Sequence, residues 1–111
     1  MGVRGWVYIL TNVSMPGLVK VGYSTKDPGL RAEELNHTGV PTPYVVVYDV
    51  LVVEPRTVEK CVHESLEDHH AGKEWFKCEI QVAVRAIRAV AGDGLILESR
   101  RGVGDLELIR K

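Results

Sequence analysis

The sequence predicts a single small α+β domain, in which a three-stranded antiparallel sheet is flanked by helices. The chain has 111 residues, of which 45% are hydrophobic, which is enough apolar material for one compact core and too little for two. Segments with strand-like and helix-like patterns follow one another in the order strand, strand, helix, strand, helix. This order favours a sheet that packs against helices.

The first two strands are predicted at residues 6–11 and 18–23, on either side of a turn segment. The connecting segment TNVSMPG supplies Asn, Ser, Pro and Gly, which are typical of an antiparallel connection longer than two residues. A helix is predicted next, at residues 27–37, because Asp27 can cap its first amides and Pro28 suits its first turn. The segment HTGVPTP then ends this helix.

The third strand and the second helix follow directly. The segment YVVVYDVLVV, Tyr44–Val53, is so rich in β-branched residues that we expect a strand covered on both faces, at the centre of the sheet. A helix is predicted at residues 55–70, with Gly72 ending it. The residues that recur on one face of this helix are Val58, Cys61, Val62, Ser65, Leu66 and His69.

The rest of the chain predicts a strand, a helix and a terminal hairpin. EWFKC suggests a short buried strand or extended turn, and a third helix follows, closed by Gly92 and marked by Ile80, Ala83, Val84 and Ile87. GLILE and DLELI would form a hairpin around SRRGVG, with a partly ordered tail as the alternative. We therefore expect a domain at residues 1–92 and an extension at residues 93–111 that packs on it.

Charge and cysteine content restrict the function classes. The formal net charge is -1, so any contact with nucleic acid must come from a local patch of positive charge. Cys61 and Cys78 form no CxxC pair and fit two reduced thiols at least as well as one disulfide, which favours an intracellular, cytoplasmic protein. No segment approaches the ~18 consecutive apolar residues of a membrane span, so we expect no membrane association.

Five short motifs occur in order over about residues 5–90: VYIL, PGLVKVG, TGVPTP, a Glu-x-x-x-His helix and EWF. With these motifs the chain resembles the GIY-YIG nuclease superfamily, and in particular its short phage and microbial branch. Trp6-Val7-Tyr8 stands for Gly-Ile-Tyr, and Lys20-Val21-Gly22 stands for Tyr-Ile-Gly. Later residues that match the pattern in order are Arg31, Glu59, His63 and Glu74-Trp75-Phe76.

The resemblance implies a metal-dependent endonuclease that hydrolyses phosphodiester bonds in DNA, with RNA as the second choice. Such chemistry needs a base for water, positive charge for the phosphate and usually a metal ion for the leaving oxygen. The implied catalytic residues are Tyr8, Lys20, Arg31 and His63, and the implied substrate-binding residues are Gly22, Tyr23 and His37. Glu59 would bind a divalent ion, Mg²⁺ or Mn²⁺.

Several alternatives stay open from the residues alone. Lys20 stands where the superfamily has its second tyrosine, and His63 aligns with the usual metal-binding glutamate, so either Glu59 or His63 would be the ligand. Helical spacing would bring Glu59, His63 and His70 to one border of the second helix. Without the family pattern, Tyr8 would be a packing residue and Arg31 would form an ion pair along its own helix. The aromatic residues that follow Glu74 would be core residues, and they would only position it.

Two other function classes compete with the nuclease. In the first, the same fold binds nucleic acid or a partner protein without cutting it. In the second, a metal-binding protein uses Glu59, His63, His69 and His70, although their spacing is not that of a closed structural zinc site.

Overall fold

The computed structural model of the chain describes residues 3–26 and 44–100, except for the side chains of residues 99 and 100. These residues form six strands and two α-helices. The strands are β1 (Arg4–Asn12), β2 (Leu18–Ser24), β3 (Tyr44–Val53), β4 (His70–Gly72), β5 (Trp75–Lys77) and β6 (Leu95–Arg100). The helices are α1 (Pro55–Ser65) and α2 (Ile80–Ala91), each followed by a 3-10 turn, Glu67–His69 after α1 and Gly92–Gly94 after α2.

All six strands of the described residues join one antiparallel sheet in the order β4-β5-β2-β1-β3-β6. The α+β class is confirmed, but the prediction of three strands was too low. β4 and β5 have three residues each, too few for an alternating pattern to stand out in the sequence. The pairing of β6 with β3 moves β3 away from the middle, so β1 and β2 are central and the predicted central place of β3 was wrong.

The two faces of the sheet carry different side chains because successive residues of a strand point to opposite sides. One face packs against both α-helices through Val7, Ile9, Val19, Val21, Tyr48, Val50 and Val52 from the strands and Val58, Val62, Ala83, Val84 and Ile87 from the helices. The other face carries a smaller cluster of Tyr8, Leu10 and Val46. β3 is buried in its middle, whereas Val45 and Val53 near its ends are exposed.

Helix α1 ends five residues earlier than the sequence suggested. It stops at Ser65, and His70 belongs to β4. Leu66 is still buried, with 3% of its surface exposed, and a 3-10 turn follows it. Because this turn continues a nearly helical rotation of the chain, the helix-like spacing of apolar residues in the sequence extends past the last residue of the helix. Gly72, predicted as the helix stop, lies in β4 with φ 142°.

Other predictions are confirmed within the described residues. Strands appear at the predicted places of the first hairpin, of EWFKC and of GLILE, and Gly92, with φ 48°, caps the C-terminal end of α2. Cys61 and Cys78 are both free thiols.

The predicted helix at residues 27–37 and the predicted strand DLELI lie outside the described residues. Within the part that is described, no helix is long and apolar enough to cross a membrane.

Strand β6 is tied to the helical layer by one polar cluster. The Arg88 guanidinium donates to both carboxylate oxygens of Glu98, from Nε at 2.5 Å and from Nη2 at 2.9 Å. The hydroxyl of Tyr48 donates to the same carboxylate. Burial, together with the Glu98 carboxylate, raises the pKa of Tyr48 well above its ordinary value, so the phenol stays a donor. The cluster thus links α2, β6 and β3.

Candidate functional site

A cleft of about 490 Å³ gathers polar side chains from β1, β2, α1 and the turn before β5. The described residues that line it are Tyr8, Lys20, Tyr23, Ser24, Thr25, Lys26, Glu59 and Glu74. Four of the predicted catalytic, substrate-binding and metal-binding residues, Tyr8, Lys20, Tyr23 and Glu59, therefore meet at one place although 51 positions separate the first from the last. The cleft is our candidate site.

The position of Tyr8 depends on the glycine opposite it. Tyr8 pairs with Gly22 across β1 and β2. A Cβ atom added to Gly22 would lie 2.7 Å from the Tyr8 hydroxyl oxygen and 2.8 Å from Cζ, closer than real Cβ contacts. The phenol therefore lies across the α-carbon of Gly22, where only glycine leaves room. Gly22 enters the site by supporting Tyr8, whose residue surface is 3% exposed.

Glu59 lies near both positively and negatively charged side chains. Burial raises the pKa of its carboxyl, the positive charges of His63, Lys20 and Arg56 oppose this rise, and the negative charge of Glu74 adds to it. The net result is a raised pKa. A half-buried carboxyl of this kind gains from a positive partner, and Lys20 on β2, which lines the same cleft, supplies such a charge.

Glu74 is delivered to the cleft by the small β4-β5 hairpin. Gly72 and Lys73 both have positive φ, 142° and 49°, and His70 Nε2 donates to the carbonyl oxygen of Lys73 at 2.7 Å. The Glu74 carbonyl oxygen in turn accepts from the backbone N–H of Val21 at 3.1 Å. The backbone of Glu74 is therefore fixed beside β2. Sequence reasoning left Glu74 open because its place depends on this nonlocal pairing.

His63 lies next to the cleft without lining it. Its Nε2 is 2.9 Å from the carbonyl oxygen of Val21, and its ring centroid is 5.0 Å from that of Phe76. His70 contacts the same phenylalanine at 5.5 Å. Glu59 and His63 do lie one turn apart on α1, but His70 lies outside the helix, so the predicted three-residue border was wrong for His70.

Residues after Tyr23 add donors that sequence reasoning missed. Ser24, Thr25 and Lys26 line the cleft where β2 ends, and the backbone N–H of Lys26 donates to Ser24 Oγ at 2.9 Å. The available signal was the polar run YSTK directly after the glycine. Two other predicted site residues, Arg31 and His37, lie outside the described residues.

The side chains of the cleft include oxygen donors that bear on metal binding. Among the residues that the structure describes, no three His, Cys, Asp or Glu side chains come together in a metal-binding group, and this includes the set Glu59, His63, His69 and His70. Glu59 and Glu74 nevertheless offer two carboxylates to one cleft. Carboxylate oxygens with water are the ligands that Mg²⁺ prefers, so the donor set fits a hard divalent ion.

Comparison with known protein families gives a match over most of the chain. A family model described as the T5orf172 domain matches residues 5–91 of the chain. This phage-associated domain stands in a nuclease-related clan of GIY-YIG-like domains, which supports the resemblance at the level of the clan. Neither the curated proteins nor the solved structures give a match.

Proposed function

The chain belongs to the T5orf172 domain family, and from this premise we propose that it is a metal-dependent endonuclease that hydrolyses phosphodiester bonds in DNA. The family is consistent with a nuclease-like or DNA-binding role. The endonuclease proposal rests on the cleft, which joins a phenol, a cation and a carboxylate from three separate elements. Tyr8 comes from β1, Lys20 from β2 and Glu59 from α1.

In the proposed reaction Tyr8 accepts a proton from the attacking water or orients that water. Only the ionised phenolate can accept this proton, and because a phenol has an ordinary pKa near ~10, its ionisation at neutral pH needs neighbouring positive charge. Lys20 lines the same cleft and supplies such a charge, and its ammonium would also contact a phosphate oxygen. Arg31 is proposed as the second phosphate contact, because a guanidinium can bind two oxygens at once.

Glu59 and Glu74 are the residues that would hold the divalent ion, Mg²⁺ or Mn²⁺. When bound, such an ion stabilises negative charge on the phosphate and on the leaving oxygen. The role of the chain is to bring two carboxylates to the cleft that also holds Tyr8.

The rim of the cleft suits the phosphates that flank the scissile bond. Lys26 brings a cation, and Ser24 and Thr25 bring hydroxyl donors, which are common groups in phosphate contacts. Tyr23, with 37% of its surface exposed, offers a ring and a hydroxyl at the same rim. His37 remains a proposed substrate contact. This local arrangement supplies binding groups that the net charge of -1 does not.

The proposal is tested by incubating the protein with plasmid DNA, single-stranded DNA and RNA, in Mg²⁺, in Mn²⁺ and with a chelator. We expect cleavage of DNA with either metal ion, and none with the chelator. Tyr8→Phe serves as the inactive comparison and excludes a contaminating nuclease. Binding of nucleic acid without cleavage in all metal conditions would favour the second candidate, a catalytically silent module that binds nucleic acid. An absence of both would leave a protein-binding module.

A further inference from the structure

On the side of β2 that faces β5, the hydrogen-bond partner changes from a strand to a side chain beside the cleft. β5 pairs with β2 only over three positions, where Leu18, Val19 and Lys20 face Lys77, Phe76 and Trp75. One residue further on, the N–H of Val21 still donates to the carbonyl oxygen of Glu74. The carbonyl oxygen of Val21 accepts from a side chain, Nε2 of His63 on α1, at 2.9 Å. In a complete antiparallel pair a backbone N–H would donate there.

The ring of His63 is held by one hydrogen bond and by packing against an aromatic ring. A backbone carbonyl oxygen only accepts hydrogen bonds, so Nε2 must carry a proton in this arrangement. The body of the ring packs on Phe76, of which 1% is exposed, at a centroid distance of 5.0 Å. A proton carrier has to give up and regain its proton, and doing so at Nε2 would break the bond to Val21. The geometry suits a fixed donor.

The hydrogen bond between His63 and Val21 joins α1 to β2. These two elements bring a negative and a positive side chain, respectively, to the cleft. Val21 stands between Lys20, which lines the cleft, and Gly22, which supports the Tyr8 phenol. His63 stands one helical turn after Glu59, which also lines the cleft. Fixing His63 to Val21 therefore sets the position of α1 relative to β2 at the place where Glu59 and Lys20 meet.

We propose that His63 is a positioning residue, which takes the place of a neighbouring strand at the edge of β2 and keeps Lys20 and Glu59 at one cleft. This inference rests on the proposed nuclease function and changes the part of His63 in it. The sequence suggested a catalytic residue or a metal ligand at this position. In the arrangement described above, His63 acts through Val21 without touching the substrate.

Two substitutions separate a donor from a proton carrier. His63→Gln keeps an N–H group that can reach the Val21 carbonyl, but it cannot carry a proton at neutral pH. His63→Leu keeps apolar bulk and removes the donor. We expect the DNA cleavage rate of His63→Gln to lie within about tenfold of the wild-type rate. The rate of His63→Leu should be far lower than that of His63→Gln, and the decrease should be in kcat. Glu64→Gln and Glu64→Leu, at an exposed position next along α1, are the matched controls.

Equal losses of about 100-fold or more in folded His63→Gln and His63→Leu would overturn the proposal, because a proton carrier contributes on that scale. NMR of the imidazole nitrogens tests the geometry in the wild-type protein without any cleavage. We expect a protonated Nε2 at neutral pH, and a neutral ring protonated only at Nδ1 would also overturn the proposal. If wild type cleaves nothing, the nuclease function fails, while the NMR result still decides the hydrogen bond.

Discussion

The phenol of Tyr8 lies across the α-carbon of Gly22, so close that a Cβ on the glycine would come within 2.7 Å of the hydroxyl oxygen. The two residues are direct partners in neighbouring strands. A glycine in a central strand costs conformational entropy and gives up a packing side chain. Here the lost side chain creates the space in which an aromatic ring reaches the cleft.

The first prediction is that Gly22→Ala suppresses cleavage by displacing the Tyr8 ring. The added methyl group meets three atoms of that ring at 2.7 to 2.9 Å, so the phenol must move. Overpacking of this kind costs about 1–3 kcal/mol of unfolding free energy. Gly94→Ala is the control, since no heavy atom of the residues that the structure describes lies within 4 Å of a Cβ there. Cleavage rates and denaturant unfolding measure both effects, and full activity in Gly22→Ala would contradict this account.

The second prediction concerns the hydroxyl of Tyr8 itself. Tyr8→Phe keeps the packing of the ring and removes only the oxygen, so the cleavage rate should fall about 10²–10⁴-fold with little loss of stability. Tyr44→Phe removes a hydroxyl at a position outside the cleft lining and should cleave normally. Single-turnover rates at saturating metal ion give the comparison. A Tyr8→Phe protein that keeps the full rate would show that the phenol neither accepts a proton nor orients water.

The third prediction tests the two carboxylates. Glu59→Gln and Glu74→Gln each keep the shape of the side chain and remove one charge that a hard cation needs. Each variant should require more Mn²⁺ for half-maximal cleavage, and each should bind Mn²⁺ more weakly by calorimetry without substrate. DNA binding should survive. Glu64→Gln on α1 is the charge-matched control, and an unchanged Mn²⁺ affinity in Glu74→Gln would remove Glu74 from the site.

The fourth prediction follows from the raised pKa of Glu59. Burial is the main cause, and a carboxyl whose pKa is higher in the folded state favours folding at low pH and disfavours it once ionised. The stability that this group contributes is present below its unfolded pKa and is lost as the pH rises through the folded pKa. Glu59→Gln should therefore be more stable than wild type at neutral pH in the absence of metal ion. The difference should vanish in acid, and denaturant unfolding at pH 4 and 7 would measure it; a less stable variant at pH 7 would contradict it.

The fifth prediction concerns Arg31, which rests on the family pattern and lies outside the described residues. Loss of one donor that stabilises transition-state charge should cost roughly 2.7–4 kcal/mol, or about 10²–10³ in rate. Arg31→Lys should recover part of the rate, because it restores the charge without the planar fork. Arg85→Ala, at an exposed position on α2, is the control. Normal cleavage by a folded Arg31→Ala protein would refute the assignment.

Local sequence signals predicted the long elements and part of the site. β3 was evident from its β-branched run, α2 from its apolar spacing, and Tyr8, Lys20 and Glu59 from the resemblance to a family. The position of Glu74 depends on a turn with two positive φ values and on pairing with β2, neither of which leaves a periodic pattern. The bond of His63 to Val21 spans 42 positions and depends on how α1 lies against the sheet.

The cluster of Arg88, Glu98 and Tyr48 bears on how the protein should be shortened for experiments. The family match stops at residue 91, which invites a truncation there. Such a chain would lose Glu98, the carboxylate that both Arg88 and the Tyr48 hydroxyl contact. It would also bare the backbone groups along β3 that now pair with β6, and an unpaired strand edge of this kind promotes aggregation. A fragment for expression and crystallisation should therefore extend at least through Arg100.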